Sequence, residues 1–382
     1  GRVVVLGAGK ASARMAEAVE ATWGPCEGLV ITRYGYARPC QRIEIIEASH
    51  PVPDSAGVSA TRRLLEIAHE LGAADTVVML ISGGGSALLC APADGITLTD
   101  KQSLSDGMLA SGMPISDINA IRKELSAVKG GRLAAAIYPA KLYALLISDV
   151  PGDDPSDIAS GPTVGYVGDA ARAILTLESW GLVPPVATAA FLVAGGNPMA
   201  ADDFRLFGVE NVIIAAPSQS LAAAADIAKM AGVEVRILGD AIEGEAREVA
   251  VEQVALAIEI AAQQLDHPVL LLSGGECTVT LRGDGVGGPN SEFALAAVVA
   301  LKGHPKIHLI ACDTDGVDGA AEVAGAIGDP STLALSEAME ISAALALRNN
   351  NAHGFFARIG AQVVTGPTMT NVNDFRAILV LP

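Results

Sequence analysis

The chain is short of positive charge, of patterned cysteine and of long apolar runs. Its 382 residues carry 25 lysines and arginines against 43 aspartates and glutamates, for a net charge of −18. Nucleic acid and anionic membranes need a basic face, so both are excluded as main partners. An anionic substrate must then be held by a few placed cations. The five cysteines (Cys26, Cys40, Cys90, Cys277, Cys312) form no CxxC pair. That odd, unpatterned set reads as reduced thiols in a cytoplasmic protein. No apolar run reaches about 18 residues, so no transmembrane helix is expected. No signal peptide is visible. The chain starts on Gly1 almost directly at a strand, and we expect a further segment to precede it. The six histidines are dispersed. His304 and His308 share a segment but lack the cysteine or carboxylate neighbours of a zinc site.

Hydrophobic residues make up 51% of the chain and charged residues 18%, enough for a large core and too apolar for disorder. The length fits two domains. VVVLG (3–7), GLVIT (28–32), IEIIEA (43–48), TVVMLIS (76–82) and LYALLISDV (142–150) are apolar on both faces, as in a parallel sheet covered by helices. Helical patterns near 57–71, 99–112 and 116–137 fill the gaps, the alternation of a doubly wound α/β sheet. GLVPPVAT (181–188) breaks it, because consecutive prolines continue neither a helix nor a central strand. A second α/β series follows, with strands expected at 209–216, 233–238, 269–275, 277–283, 307–313 and 377–382. Its helices are expected near 218–232, 243–266, 290–302 and 331–347. The expected domains are therefore 1–185 and 186–382.

Two glycine turns echo each other. LISGGGSALL (80–89) and LLSGGECTV (271–279) are apolar strands ending in Ser-Gly-Gly, where α/β sheets bind ligands. A third, GAGKAS (7–12), fits no standard motif. The dinucleotide fingerprint needs a third glycine where Ser12 stands, and the next strand ends in Arg33 rather than an acid. Arg33 could face an NADP phosphate. The P-loop needs glycine where Val4 stands. Lys10 opposes the dipole of the helix it opens, a conflict a bound anion would remove. The nucleophile elbow also fails, because Leu88 holds its last position.

Charged stretches supply the other candidates. INAIRKELSAVKGGRLA (118–134) holds Arg122, Lys123, Lys129 and Arg132 and reads as a helix capped by Gly130-Gly131. There Lys129 is either a dipole partner or a ligand. SDVPGDDPSDIASGPT (148–163) crowds Asp149, Asp153, Asp154 and Asp157, which a magnesium ion or plain turn chemistry would explain. CDTDGVDGAAEVAGA (312–326) adds Asp313, Asp315 and Asp318. It is not an EF-hand, since Val317 and Ala324 fill two ligand places. Glu276, Asn290 and Glu292 lie in the glycine-rich 274–296, His50 in ASHPVPD, and Asn371 in TGPTMTNVNDF.

Read in order, VVVLGAGKAS, ASHPVPD, LISGGGSALL, IRKELSAVKGGRLA, ISDVPGDDPSDIASGPTV, LLSGGECTV, ACDTDGVDGAA and TGPTMTNVND resemble the glycerate 2-kinase family of MOFRL-domain proteins over nearly the whole chain. Some members of that family are labelled hydroxypyruvate reductase. The resemblance implies two α/β/α-layered domains, the first Rossmann-like, with the active site in the cleft between them and the MOFRL region at about 266–382. It implies ATP-dependent phosphorylation of D-glycerate to 2-phosphoglycerate, with glycerate and nucleotide as partners. A homo-oligomer is compatible with it. Lys10 matches the family's functional lysine. The family's GGRNQE stretch reads Gly287-Gly288-Pro289-Asn290-Ser291-Glu292 here, so Pro289 replaces its functional arginine.

On this reading Gly83, Gly84, Gly85, Ser86, Lys129, Gly274, Gly275, Glu276, Asn290, Glu292 and Asn371 contact nucleotide or substrate. Lys10 stabilises the transferring phosphoryl group, Asp149 and Asp315 serve the reaction, and Asp154 and Asp313 hold Mg²⁺. Two alternatives stand beside it. One is an NAD(P)H-dependent hydroxypyruvate reductase, resting on Gly7, Gly9 and Arg33. The other is a kinase-like protein whose turnover is impaired by Pro289.

Overall fold

The computed structural model describes residues 1–197, 199–263 and 265–382. They form two compact units: Gly1–Ser148 with Asp153–Ile214, and Asp149–Gly152 with Ala215–Pro382. The fold is α/β in both, with one six-stranded sheet in each. Among the described residues no helix is long and apolar enough to cross a membrane.

The first sheet is built from β1 (Val3–Ala8), β2 (Glu27–Arg33), β3 (Ile43–Ala48), β4 (Thr76–Ile81), β5 (Lys141–Ile147) and β6 (Val209–Ala215), in the order β3-β2-β1-β4-β5-β6. The pairings of β1 with β2 and β4, of β2 with β3 and of β4 with β5 are parallel. Val4, Val5, Leu6, Met79, Leu80 and Ile81 are fully buried, as strands covered on both faces require. The helix Ser55–His69 shows how a covering layer is specified. Asp54 caps it by accepting from the Gly57 amide at 2.9 Å, and its buried stripe is Val58, Thr61, Leu64 and Ala68. The strand order reverses between β1 and β4, which puts a ligand crevice at their carboxyl ends. GAGKAS and SGGGS are the loops found there.

The first strands of the second unit are β7 (Glu234–Gly239) and the two-residue β8 (Gly244–Glu245). β9 (Val269–Gly275), the two-residue β10 (Cys277–Thr278), β11 (Ile307–Asp313), β12 (Gly325–Gly328), β13 (Gln362–Val363) and β14 (Asp374–Val380) follow. The main sheet runs β13-β12-β11-β14-β9-β7, while β8 and β10 pair separately. β7 and β9 are parallel; β14 is antiparallel to both β9 and β11. Alternating residues feed two cores. Leu271 and Ile378 pack with the helices Ala246–Ala261 and Pro289–Leu301, whereas Leu272 and Ala377 pack with the helix Pro217–Met230.

Three local expectations are corrected. The expected helix 116–137 is two helices, Ile115–Glu124 and Arg132–Ile137. Between them the chain bonds to residues 91–93: the Ala93 amide donates to Leu125 and the Ala127 amide to Ala91. Gly131 therefore opens the second helix rather than closing a long one, and Lys129 is no partner of a helix C-terminus. The expected strand 277–283 is reduced to Cys277–Thr278. Beyond it the backbone turns to side chains, Thr280 to Glu245 and Arg282 to Asn350. Finally, 209–216 was expected in the second series, but Val209–Ala215 lies at the edge of the first sheet. Its alternating half-exposed pattern suits an edge position.

Candidate functional site

In the first unit the carboxyl ends of β1 and β4 are stitched together. The Lys10 amide donates to the Gly83 carbonyl at 2.8 Å, and the Ala11 amide donates to Ser82 Oγ at 3.0 Å. The Ser12 and Ser82 hydroxyls are 3.1 Å apart. Gly84 adopts φ +80°, and a Cβ there would stand 3.0 Å from the His50 ring and 3.1 Å from Lys10 Cγ. That backbone favours glycine, and a side chain there would be strained and would press on both neighbours. Gly83, Gly84 and Gly85 therefore bring Lys10 and His50 together over one turn. Ser86 Oγ is 2.8 Å from Ser160 Oγ.

Lys129 is also in this unit, and it is buried. Its Nζ donates to the Ala159 carbonyl at 3.3 Å. Burial pushes its ammonium well below the ordinary lysine value, and Lys101 and Arg122 add repulsion. Asp154 spends one carboxylate oxygen on the Ser156 amide at 2.8 Å, an Asx turn.

In the second unit the end of β9 is closed by its own polar groups. Gly275 has φ +108°, and a Cβ there would overlap the Ile242 amide nitrogen at 2.2 Å. Arg376, fully buried, donates to the Gly274 carbonyl at 2.7 Å and lies 3.3 Å from Asp374. Asn290 donates to Asp374 at 2.6 Å. Burial pushes the Asp374 carboxyl up to about 6, against the pull of Arg376 and Asn290. Asp318 accepts from the Asn290 and Ser291 amides at 2.8 and 2.7 Å, at the start of the helix Pro289–Leu301. Pro289 is in the first turn of that helix, where a missing N–H is harmless. Glu292 is buried, bonded to Arg247 and 3.3 Å from the Asn350 amide. Glu276 is exposed on the turn after β9.

A second cluster in the same unit joins Asp149, Asn371, Asp313 and Asp315. Asn371 donates to the Asp149 carboxylate at 3.0 Å, and Asn373 to the Asp149 carbonyl at 2.7 Å. Asp313 accepts from the Asp315 amide and Asp315 from the Val317 amide, both at 2.8 Å. Thr314 ties this turn to the 371–373 segment, accepting from the Val372 amide at 2.9 Å. Asp154 and Asp313 fall in different units, so neither unit alone assembles them as a pair. Among the described residues no group of three or more His, Cys, Asp or Glu is arranged to hold a metal. Magnesium commonly takes one or two carboxylates and completes its shell with phosphates and water; of this turn Asp313 is the half-buried carboxylate, while Asp315 is buried.

Sequence reasoning singled out Lys10 and the glycine turns, but missed Lys101, Arg247, Asp374 and Arg376. Lys101 reaches Lys129, Arg247 reaches Glu292, Asp374 reaches Asn290 and Arg376 reaches Gly274 only through the tertiary fold, and no local pattern marks those contacts.

Residues 1–192 match a family described as a domain of unknown function (DUF4147), and residues 269–374 match the MOFRL family. A protein from Agrobacterium vitis named "Putative hydroxypyruvate reductase" is 48% identical over 100% of this chain and 87% of its own length. A D-glycerate 2-kinase from Thermotoga maritima is 38% identical over 98% of this chain and 89% of its own. The crystal structure of a glycerate kinase from Thermotoga maritima superposes with a TM-score of 0.88 at 37% identity, covering 100% of this chain and 92% of that one.

Proposed function

The chain belongs to the glycerate kinase family, and from that membership we propose that it is an ATP-dependent glycerate 2-kinase that phosphorylates D-glycerate to 2-phosphoglycerate. The observation that carries the reading is the placement of Lys10. Its backbone is pinned to Gly83 at the point where the strand order reverses, and its side chain packs against Gly84. Phosphoryl transfer needs chiefly positioning and neutralised charge. Lys10 supplies the charge on a fixed stem, and backbone amides of the glycine turn add donors to an oxyanion.

In this reading the 2-hydroxyl oxygen of glycerate forms a bond to the γ-phosphorus of ATP. The bond from that phosphorus to the bridging oxygen of ADP breaks. The hydroxyl proton passes to a carboxylate, for which Asp149, oriented by Asn371, is the candidate, with Asp315 on the adjoining turn. Asp313 would hold Mg²⁺, which when bound offsets phosphate charge. Pro289 supplies no cation, so Lys10 works without the family's arginine. Glu292 and Asn290 serve as positioning residues, because their side chains are committed to Arg247 and Asp374.

The test is release of ADP from Mg-ATP that depends on D-glycerate, with the product identified as the 2-phosphate by phosphorus NMR. Its absence from folded full-length protein would sink the reading. A reductase reading is favoured by the name of the Agrobacterium vitis relatives and by the Gly7–Gly9 turn. It predicts NADPH oxidation by hydroxypyruvate, and a preparation without that oxidation removes it.

A further inference from the structure

Beside the Lys10 turn, within the first unit, lies a cavity of about 20 Å³ lined by Lys101, Arg122 and Lys129 together with Ser86, Ser105 and Cys90. That volume admits about one water-sized group. Lys101 is 7% exposed and Lys129 1% exposed, while Arg122 is half-buried. Among the described residues no carboxylate pairs with any of the three. Long cationic side chains normally carry their charge out to water along an apolar stem. Two lysines held inside, facing a third cation, in a chain with 43 acidic residues to choose from, run against that habit. Burying an ammonium without a counter-charge is costly. Desolvation lowers the ammonium groups of Lys101 and Lys129 and the guanidinium of Arg122 from their ordinary values, so the cost is visible in each. An anion in the cavity would relieve all three at once.

The position narrows the anion. Ser86 directly follows Gly85 of the glycine turn. Pro51, also at the cavity wall, directly follows His50, whose ring lies against Gly84 beside Lys10. A group seated here is therefore next to the lysine proposed to meet the transferring phosphoryl. A cavity of about 20 Å³ is too small for a whole phosphate with its four oxygens, but has room for one oxygen of a carboxylate.

We propose that this cavity seats the carboxylate of the small hydroxy-acid substrate, held by Lys101 and Lys129 with Arg122 beside them. The proposal rests on the kinase reading for the identity of that acid, and it makes the first unit the one that selects an acid over the corresponding neutral polyol.

Calorimetric titration of the full chain, with and without ADP, tests it using D-glycerate, glycerol and inorganic phosphate as probes. D-glycerate is expected to bind and glycerol not to. Lys129→Met and Arg122→Gln are each expected to weaken D-glycerate at least tenfold while still unfolding cooperatively. If Lys129→Met fails to fold, the half-buried Arg122→Gln decides alone. D-glycerate binding unchanged in the folded variants, or no binding to the parent protein under either condition, would overturn the proposal. So would phosphate binding that the substitutions abolish while D-glycerate binding survives. The two readings fail separately. Binding lost in the variants with no ADP release in the parent leaves the pocket standing and removes the kinase. ADP release with an unchanged KM for D-glycerate in the variants does the reverse.

Discussion

The turn Ser82-Gly83-Gly84 in the first unit and the turn Ser273-Gly274-Gly275 in the second end strands of similar make-up, yet their charges are treated in opposite ways. At the second turn the buried charged groups have local partners. Arg376 bonds to Gly274 and Asp374, Asn290 bonds to Asp374, Asp318 takes two amides, and Glu292 takes Arg247. At the first turn no carboxylate pairs with Lys101, Arg122 or Lys129 among the described residues. On the proposal above, the difference is between scaffold and recognition. A closed polar network fixes backbone geometry and has little left to offer a ligand. Cations buried without a paired carboxylate are held at a cost that an anionic ligand would offset.

The comparison can be broken in several ways. Lys10→Met should lower kcat by about 10²- to 10³-fold, the effect of losing one charge-stabilising donor, with an unchanged melting temperature. A comparable fall in stability instead would make Lys10 part of the scaffold. Glu292→Ala should act in the other currency. It removes the shorter of Arg247's two carboxylate contacts, Glu245 remaining at 3.5 Å, and leaves the Asn350 amide without its Glu292 acceptor, so it should cost about 1–3 kcal/mol in urea unfolding. Gly84→Ala forces an L-residue to φ +80° and crowds His50 and Lys10. A stability loss of about 1–2 kcal/mol is expected, with an activity loss exceeding it as Lys10 shifts. Pro289→Arg should leave stability within about 0.5 kcal/mol and raise turnover, since it restores the family's cation. An unchanged rate would mean that this chain no longer uses that position.

The smallest effect belongs to a charge pair outside both turns. Glu17 is held down to about 2 by hydrogen bonds from Arg38 and Arg14. A depressed carboxyl lends stability that is complete above its ordinary value near 4.5 and is lost as pH falls toward 2. Glu17→Gln should therefore lower the melting temperature slightly at pH 7, less so in high salt, and not at all near pH 2.

What could be read in advance follows from the range of the forces. The strands of the first sheet stood out because a strand buried on both faces prints as an unbroken apolar run, as Val3–Ala8 and Thr76–Ile81 do. Lys10 and its turn were visible because glycines that must let a side chain approach are local in sequence. The break between Glu124 and Arg132 was not, because Leu125 and Ala127 bond to residues more than thirty positions away. Nor was the membership of Val209–Ala215, since strand order along the chain does not tell which sheet edge is vacant. Lys101 sits in a helix of ordinary composition, and only the tertiary fold turns it toward Arg122 and Lys129.

The most direct measurement is D-glycerate-dependent ADP release by the parent protein and by Lys10→Met, run side by side. The account predicts release by the parent that D-glycerate saturates, and a loss of about two orders of magnitude or more in the variant. ADP release indifferent to D-glycerate, or equal in both proteins, would contradict it.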